Sequence, residues 1–247
     1  MTDAPLPPRT LITGGTRGIG AAIARRLHRD GHEVIVLGRT SSAASPAPGI
    51  RADHADVSVV QAVSAAFSRI DEDARGLTGL VVSAGIWEPS PIEADLERIA
   101  AQYRRVMDIN VIGAVNSVAA FLGHRRPGPA SIVLVGSTAG QRGEAGHAAY
   151  AASKSALMGL CKSWAAELGP RGIRVNVCAP GWVDTEMSAP TVSDPTKRAA
   201  IEAAIPRGVM ANAEDVAGPV AFLLSEDARH VTGSVLSVNG GGVLASF

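Results

Sequence analysis

Short, wholly apolar runs alternate along the chain with longer stretches in which apolar positions recur every three or four residues. Thr10 to Ile12, Glu33 to Leu37, Leu77 to Val82, Ala130 to Val135, Ile173 to Val177 and Ser234 to Val238 are runs of the first kind, with Gly49 to Asp53 a weaker one. Bounded by glycine, proline or small polar residues, they predict buried strands. Ala21 to Asp30, Val59 to Ile70, Ile92 to Phe121, Ala148 to Leu168 and Ala213 to Leu224 predict helices. Gly31 breaks the first, Pro91 and Gly123 flank the third, Gly169-Pro170 stops the fourth and Asn212 caps the last. Strands apolar on both faces, alternating with helices, imply an α/β fold. It is a doubly wound parallel sheet of about seven strands in a single domain, residues 9–247, with a ligand at the carboxyl ends of the strands.

Three segments fall outside this alternation. Met1 to Pro8 carries three prolines and reads as a disordered leader. Residues 40–48, rich in Ser, Ala and Pro, leave too little room for a crossover helix and predict a shortened connection. Residues 188–210 hold three prolines and little pattern beyond a short helix over Thr196 to Ala204, which suits a mobile lid over a cleft.

The first strand runs directly into Thr13-Gly14-Gly15-Thr16-Arg17-Gly18-Ile19-Gly20 and then a helix. Glycines let the backbone turn sharply and approach a pyrophosphate, whose charge meets the free amides and positive dipole of the helix N-terminus. A dinucleotide is the ligand such a turn accepts; a purely structural turn is the alternative. The second strand ends in Gly38-Arg39-Thr40. An acidic residue there would bond the ribose hydroxyls of NAD, whereas a guanidinium pairs with a 2′-phosphate. Arg39, with Arg17 reaching the same side, favours NADP (NADPH) over NAD, solvated arginines being the bland alternative. Asp56-Val57 stands at the edge where an adenine ring would lie, and the small residues Ser83-Ala84-Gly85 let a flat ring approach the backbone.

Tyr150-Ala151-Ala152-Ser153-Lys154 sets a phenol and an ammonium one helical turn apart on a shared face. A free tyrosine has a pKa of about 10, and bringing it to neutrality takes about 4 kcal/mol. An ammonium at ~5 Å and an effective dielectric of ~20 supplies roughly 3 kcal/mol. Ser137, at the end of the run Ile132 to Gly136, is where a strand would deliver a hydroxyl to the sheet edge. Serine, tyrosine and lysine thus form a candidate proton-transfer unit, although a Tyr-x-x-x-Lys pair also occurs in helices where the lysine is simply solvated. Asn110, among Met107, Ile109, Val111 and Ile112, is either a surface residue or a buried amide with a specific partner.

Lys+Arg and Asp+Glu both number 23 among 247 residues, so no global field recruits nucleic acid or an anionic membrane, and a small-molecule partner fits better. Cys161 and Cys178 have no ligand or redox spacing and read as buried reduced thiols, while the six histidines show no zinc pattern, so no metal is expected. No apolar run reaches the ~20 residues of a membrane span, and a soluble, cytoplasmic protein is expected.

The glycine turn at 13–20, Asp56-Val57, Asn110, Ser137, Tyr150, Lys154 and Pro180-Gly181 with Thr185 occur together in an order and spacing that resembles the short-chain dehydrogenase/reductase family over nearly the whole chain. The likeness is to the beta-ketoacyl carrier-protein reductases and related ketoreductases, whose corresponding motifs Thr-Arg-Gly-Ile-Gly and the terminal Val-Asn-Gly-Gly resemble. It implies a Rossmann fold and a hydride transfer that interconverts a ketone, or a beta-ketoacyl thioester, and a secondary alcohol. In that reading Tyr150 donates the proton, Lys154 tunes the phenol and binds the nicotinamide ribose, and Ser137 orients the carbonyl. Asn110 holds a water that relays protons, and Thr185, on the segment Pro180-Gly181-Trp182-Val183, fixes the carboxamide. A homotetramer is implied too.

Three departures stand out: Val82-Ser83-Ala84-Gly85 replaces Asn-Asn-Ala-Gly, which questions how the central strand is braced; the 40–48 loop is short; and Asn239 stands where aspartate is common. Gln141, Glu144, His147, Trp182 and Met187 are expected at the substrate mouth, and Arg125, Arg126 and Arg171 as a basic rim for an acyl carrier protein. The alternatives are a catalytically silent NADP-binding redox sensor or scaffold and, fitting the length poorly, an epimerase or dehydratase of the extended relatives.

Overall fold

The computed structural model describes residues 6–41 and 44–243. Its elements are β1 (Arg9–Thr13), α1 (Gly18–Arg29), β2 (Glu33–Gly38), β3 (Arg51–His54), α2 (Val60–Ile70), β4 (Gly79–Val82), α3 (Leu96–Met107), α4 (Gly113–Gly123), β5 (Ala130–Val135), α5 (Thr138–Arg142), α6 (Ala148–Leu168), β6 (Ile173–Pro180), α7 (Ala189–Val192), α8 (Pro195–Ala203), α9 (Ala213–Leu224) and β7 (Val235–Val238). The strands form one seven-stranded sheet in the order β3-β2-β1-β4-β5-β6-β7, and every pairing is parallel. Strand order reverses between β1 and β4, which opens a crevice at their carboxyl ends.

Strand periodicity divides the core between two faces. Leu11, Ile35, Leu80 and Ile132 point to one side with Phe67, Phe121 and Leu157 from α2, α4 and α6. Ile12, Val36, Val81 and Val133 point to the other with Ile23, Leu27, Val216 and Val220 from α1 and α9. Each such side chain contributes roughly 1.5–3 kcal/mol on full burial, so a one-residue slip of any central strand would misplace both layers at once.

The helix expected over Ile92 to Phe121 begins later and is not uniform. Asp95 accepts from Arg98 N and caps α3, and between α3 and α4 the turn widens to a π-helical step at Asp108–Ile112. The resulting rod, Leu96–Gly123, is long and apolar enough to cross a bilayer by length and composition, in contrast to the sequence expectation. Val106, Asn110, Ala114, Val118 and Phe121 are nevertheless buried within the fold. No helix intervenes between β2 and β3 among the described residues; Ser45 Oγ closes that connection on the carbonyls of Ala47 and Ile50. Ser42 and Ala43 of that loop, and Met1 to Pro5 of the expected leader, lie outside the described residues. In the 188–210 segment, α7 and α8 are both helical, with Val192 and Ile205 buried and Asp194 capping α8.

Arg9, at the amino end of β1, is 1% exposed. Its guanidinium donates to Glu33, Asp73 and the carbonyl of Ile70 at 3.0, 2.8 and 2.9 Å. A charge is tolerated there because each of its three nitrogens donates to an acceptor, two of them carboxylates.

Candidate active site

The turn after β1 is held in a shape only glycine permits. Gly14 has φ +65°, and a Cβ there would sit 2.8 Å from the backbone of Ala84; a Cβ on Gly20 would sit 2.2 Å from the carbonyl oxygen of Gly14. No side chain caps the N-terminus of α1, and its first turn holds no acidic residue. Its amides and dipole therefore remain for an anionic ligand.

A cleft of about 1190 Å³ runs over the carboxyl ends of the strands, and every residue assigned to the cofactor from the sequence lines it. Arg17 and Arg39 are exposed at its rim. Asp56 is held by the amide and hydroxyl of Ser58 at 3.0 and 2.6 Å. The Val57 carbonyl accepts from Asn116 Nδ2 at 2.9 Å, which fixes the shelf between β3 and α2. The bracing questioned at Val82-Ser83-Ala84-Gly85 is supplied from elsewhere: the Thr13 hydroxyl accepts from the amides of Ser83 and Ala84, both at 3.3 Å. A Cβ on Gly85 would come within 3.2 Å of Asn110 Oδ1 and 3.5 Å of Lys154 Nζ.

Ser137 follows β5 and caps α5, its hydroxyl accepting from Ala139 N at 3.1 Å. Tyr150 lies in the first turn of α6 and Lys154 one turn on; all three line the cleft. Lys154 is buried, donates to the Val135 carbonyl at 2.8 Å, and stands 5.6 Å from the centre of the Tyr150 ring. Burial pushes the phenol up to about 12, with the charge of Glu144 adding to the rise and a hydrogen bond with Ser137 opposing it. Burial also lowers Lys154 to about 8. The expected lowering of the phenol by its neighbouring ammonium is therefore absent from this structure. The spacing puts the two groups together as expected, but desolvation disfavours both charged forms and the ammonium is turned to a carbonyl.

Asn110 does not line the cleft. At 1% exposure it accepts from Ile86 N at 2.8 Å and donates to Ile86 O at 3.0 Å and to Ser153 Oγ at 2.9 Å. Ser153 Oγ in turn donates to the Tyr150 carbonyl at 2.7 Å. Of the expected mouth residues, Glu144, Trp182 and Met187 line the cleft; Gln141 instead donates to Ser237 Oγ at 2.9 Å, and His147 lies behind Trp87. Within one chain Arg125, Arg126 and Arg171 precede β5 and β6, at the end of the sheet opposite the cleft. They are no rim to its mouth, where Arg142 is the arginine that lines the wall beside Glu144.

Trp87 escaped the sequence reading. It donates to Glu144 Oε1 at 3.1 Å, stacks on His147 with ring centroids 4.3 Å apart, and meets Trp182 edge-on at 6.0 Å. Its one signal is position, two residues past the Gly85 that closes on Lys154.

A parallel sheet with a glycine cradle at its switch point, opening onto a buried lysine, a phenol and a serine hydroxyl, defines a nucleotide-dependent oxidoreductase fold. Residues 14–242 match the family described as enoyl-(acyl carrier protein) reductase. The chain belongs to the short-chain dehydrogenase/reductase family, whose members are oxidoreductases that use nicotinamide cofactors. It is 35% identical over 246 residues to the 3-oxoacyl-[acyl-carrier-protein] reductase MabA of Mycobacterium tuberculosis (strain ATCC 25618 / H37Rv), covering 97% of this chain and 96% of that protein. To the 3-oxoacyl-[acyl-carrier-protein] reductase FabG of Escherichia coli (strain K12) it is 33% identical, covering 94% and 95%. A gluconate 5-dehydrogenase from Burkholderia cenocepacia J2315, solved with NADP and tartrate, superposes with a TM-score of 0.90 at 28% identity, covering 98% and 97%.

Proposed function

We propose that this protein is an NADP-dependent carbonyl reductase that interconverts a ketone and a secondary alcohol, with a beta-ketoacyl thioester as the leading substrate class. The observation that carries the reading is that Ser137, Tyr150 and Lys154 open onto the same cleft as the glycine turn. The 3-oxoacyl reductases among the relatives support the thioester, and the NADP-bound neighbour supports the cofactor. The cradle fits a dinucleotide diphosphate because the α1 amides lack a competing cap.

The cofactor supplies the hydride. Tyr150 gives its proton to the carbonyl oxygen in reduction and takes it back in oxidation. Ser137 orients that oxygen, Lys154 holds the ribose hydroxyls, and Thr185 with Val183, Pro180 and Gly181 holds the nicotinamide end. The water-holding part that the family resemblance gives Asn110 falls to its main chain, because its side-chain amide is committed to Ile86 and Ser153. The α7–α8 segment acts as the lid, and its Ala200, Ile201 and Ala204 face the cleft. A catalytically silent NADP-binding protein would have no use for this full set, and no observation favours it.

A panel of ketones, beta-ketoacyl thioesters and alcohols, scored by NADPH consumption or formation, tests the activity; no turnover of any member would overturn it. Arg39→Asp tests the cofactor. Loss of a charge-assisted pair with the 2′-phosphate should weaken NADPH roughly 10- to 100-fold, leaving NADH nearly unchanged in a fluorescence titration; equal losses would reject the phosphate role. We further place the enzyme in the cytoplasm as a homotetramer built on the faces of α3–α4 and α6, and a monomeric mass by light scattering would refute that assembly.

A further inference from the structure

Two loops beside the cleft are fastened to each other by residues outside the Ser137, Tyr150 and Lys154 set. Ser90 N donates to the Gly146 carbonyl at 2.7 Å, and Ala149 N, in the first turn of α6, donates to Ser90 Oγ at 3.0 Å. Across this seam Trp87 donates its indole N–H to Glu144 Oε1 at 3.1 Å and lies flat on His147, with 7° between the planes. Trp182 closes the third side at 79°. Glu144 is thus anchored in the wall of the cleft that Tyr150 also lines. An indole N–H orients a carboxylate without neutralising it, as a guanidinium would.

We propose that Glu144, oriented by Trp87, is a positioning residue whose charge keeps the proton on the Tyr150 hydroxyl and so poises the site to donate rather than accept one. This rests on Tyr150 being the proton donor. The Glu144 charge acts on the phenol in that direction, second to burial among the influences that raise it. Lys154 on α6 is turned to the Val135 carbonyl. Arg142, at the end of α5, lines the cleft wall. Glu88 on the facing loop is paired with Arg105 at 3.1 Å. His147 Nδ1 stands 3.7 Å from Glu144 Oε1 and 3.3 Å from the Ala145 carbonyl. Glu186 also lines the cleft, beyond Trp182 towards the glycine turn.

The sign follows from the chemistry. Reduction needs the phenol protonated and oxidation needs it deprotonated. Removing the Glu144 charge lets the proton leave at lower pH, so the acidic limb of alcohol oxidation and the alkaline limb of carbonyl reduction both move down. The overall equilibrium, set by substrate and cofactor, does not change.

Glu144→Gln keeps the size and an acceptor for Trp87 while removing the charge. Both limbs should fall by roughly 0.5–1 pH unit, with the NADPH dissociation constant within twofold of the native protein. Glu144→Asp retains the charge and should restore the native limbs, whereas a purely structural role would leave both variants equally impaired. Trp87→Phe, which keeps a ring but loses the donor, should move the limbs part of the way in the Gln direction. Limbs in Glu144→Gln that coincide with the native ones, in an enzyme that Tyr150→Phe inactivates, would overturn this proposal alone. A Tyr150→Phe variant that retains turnover would instead overturn the reading on which it rests.

Discussion

Tyr150→Phe is expected to lower kcat by roughly 10²- to 10⁴-fold, the range a positioned acid or base contributes, while NADPH binds within about threefold of the native protein. The change removes one oxygen from a ring that stays in the first turn of α6, so the cradle around Gly14 to Gly20 and the contacts of Lys154 with Val135 are untouched. Ser137 loses a hydrogen-bond partner but keeps the amide of Ala139. Binding measured by fluorescence and turnover measured by NADPH oxidation should therefore separate cleanly. Turnover above one-tenth of the native rate would mean that another group carries the proton. Burial holds the phenol up at about 12 and the lysine down at about 8; a cationic nicotinamide ring beside them would favour the phenolate, so oxidation should gain with pH well below 12.

The fold was legible because its strands are buried on both faces: Leu11 and Ile12, or Ile132 and Val133, leave no room for an amphipathic alternative. The glycine turn and the Tyr-Lys spacing were legible because each is local, one turn of backbone or one turn of helix. What could not be read depends on partners distant in sequence. Whether Asn110 faced solvent or a buried partner turned on Ile86 and Ser153, neither of which is near it in the chain. The π-helical step that carries it leaves the apolar period on either side nearly intact, so it is invisible to a periodicity argument. The burial of Arg9 likewise depends on distant partners, the carboxylates of Glu33 and Asp73, which its own stretch of chain does not contain. The interaction of Lys154 with Tyr150 was read from distance alone, whereas burial decides its electrostatic outcome. The misplaced arginines Arg125, Arg126 and Arg171 show that arginine beside a turn carries no information about which end of the sheet it occupies.

Asn110→Ala should be the most destabilising single change in the site, costing about 3–5 kcal/mol, because it removes at once one buried hydrogen bond, to Ser153, and two half-buried ones, to Ile86. The main chain of Ile86 loses partners for both its N–H and its carbonyl, and Ser153 keeps only the Tyr150 carbonyl. For a chain of this length that corresponds to a fall in Tm of roughly 6–15 °C, read by thermal unfolding with and without NADPH. A fall smaller than about 2 °C would show that water replaces the amide at little cost, against its 1% exposure. Asn110→Asp should not rescue: it preserves the oxygen that meets Ile86 N, but it loses both donors to Ile86 O and Ser153 Oγ and buries a carboxylate where a neutral amide stood. The functional consequence should exceed the stability loss, since Asn110 ties the Ile86–Trp87 loop to the turn of α6 that carries Tyr150. With that tie cut, the wall that holds Glu144 and the helix that holds the phenol are free to move apart, and kcat/KM should fall even at temperatures where the variant remains folded.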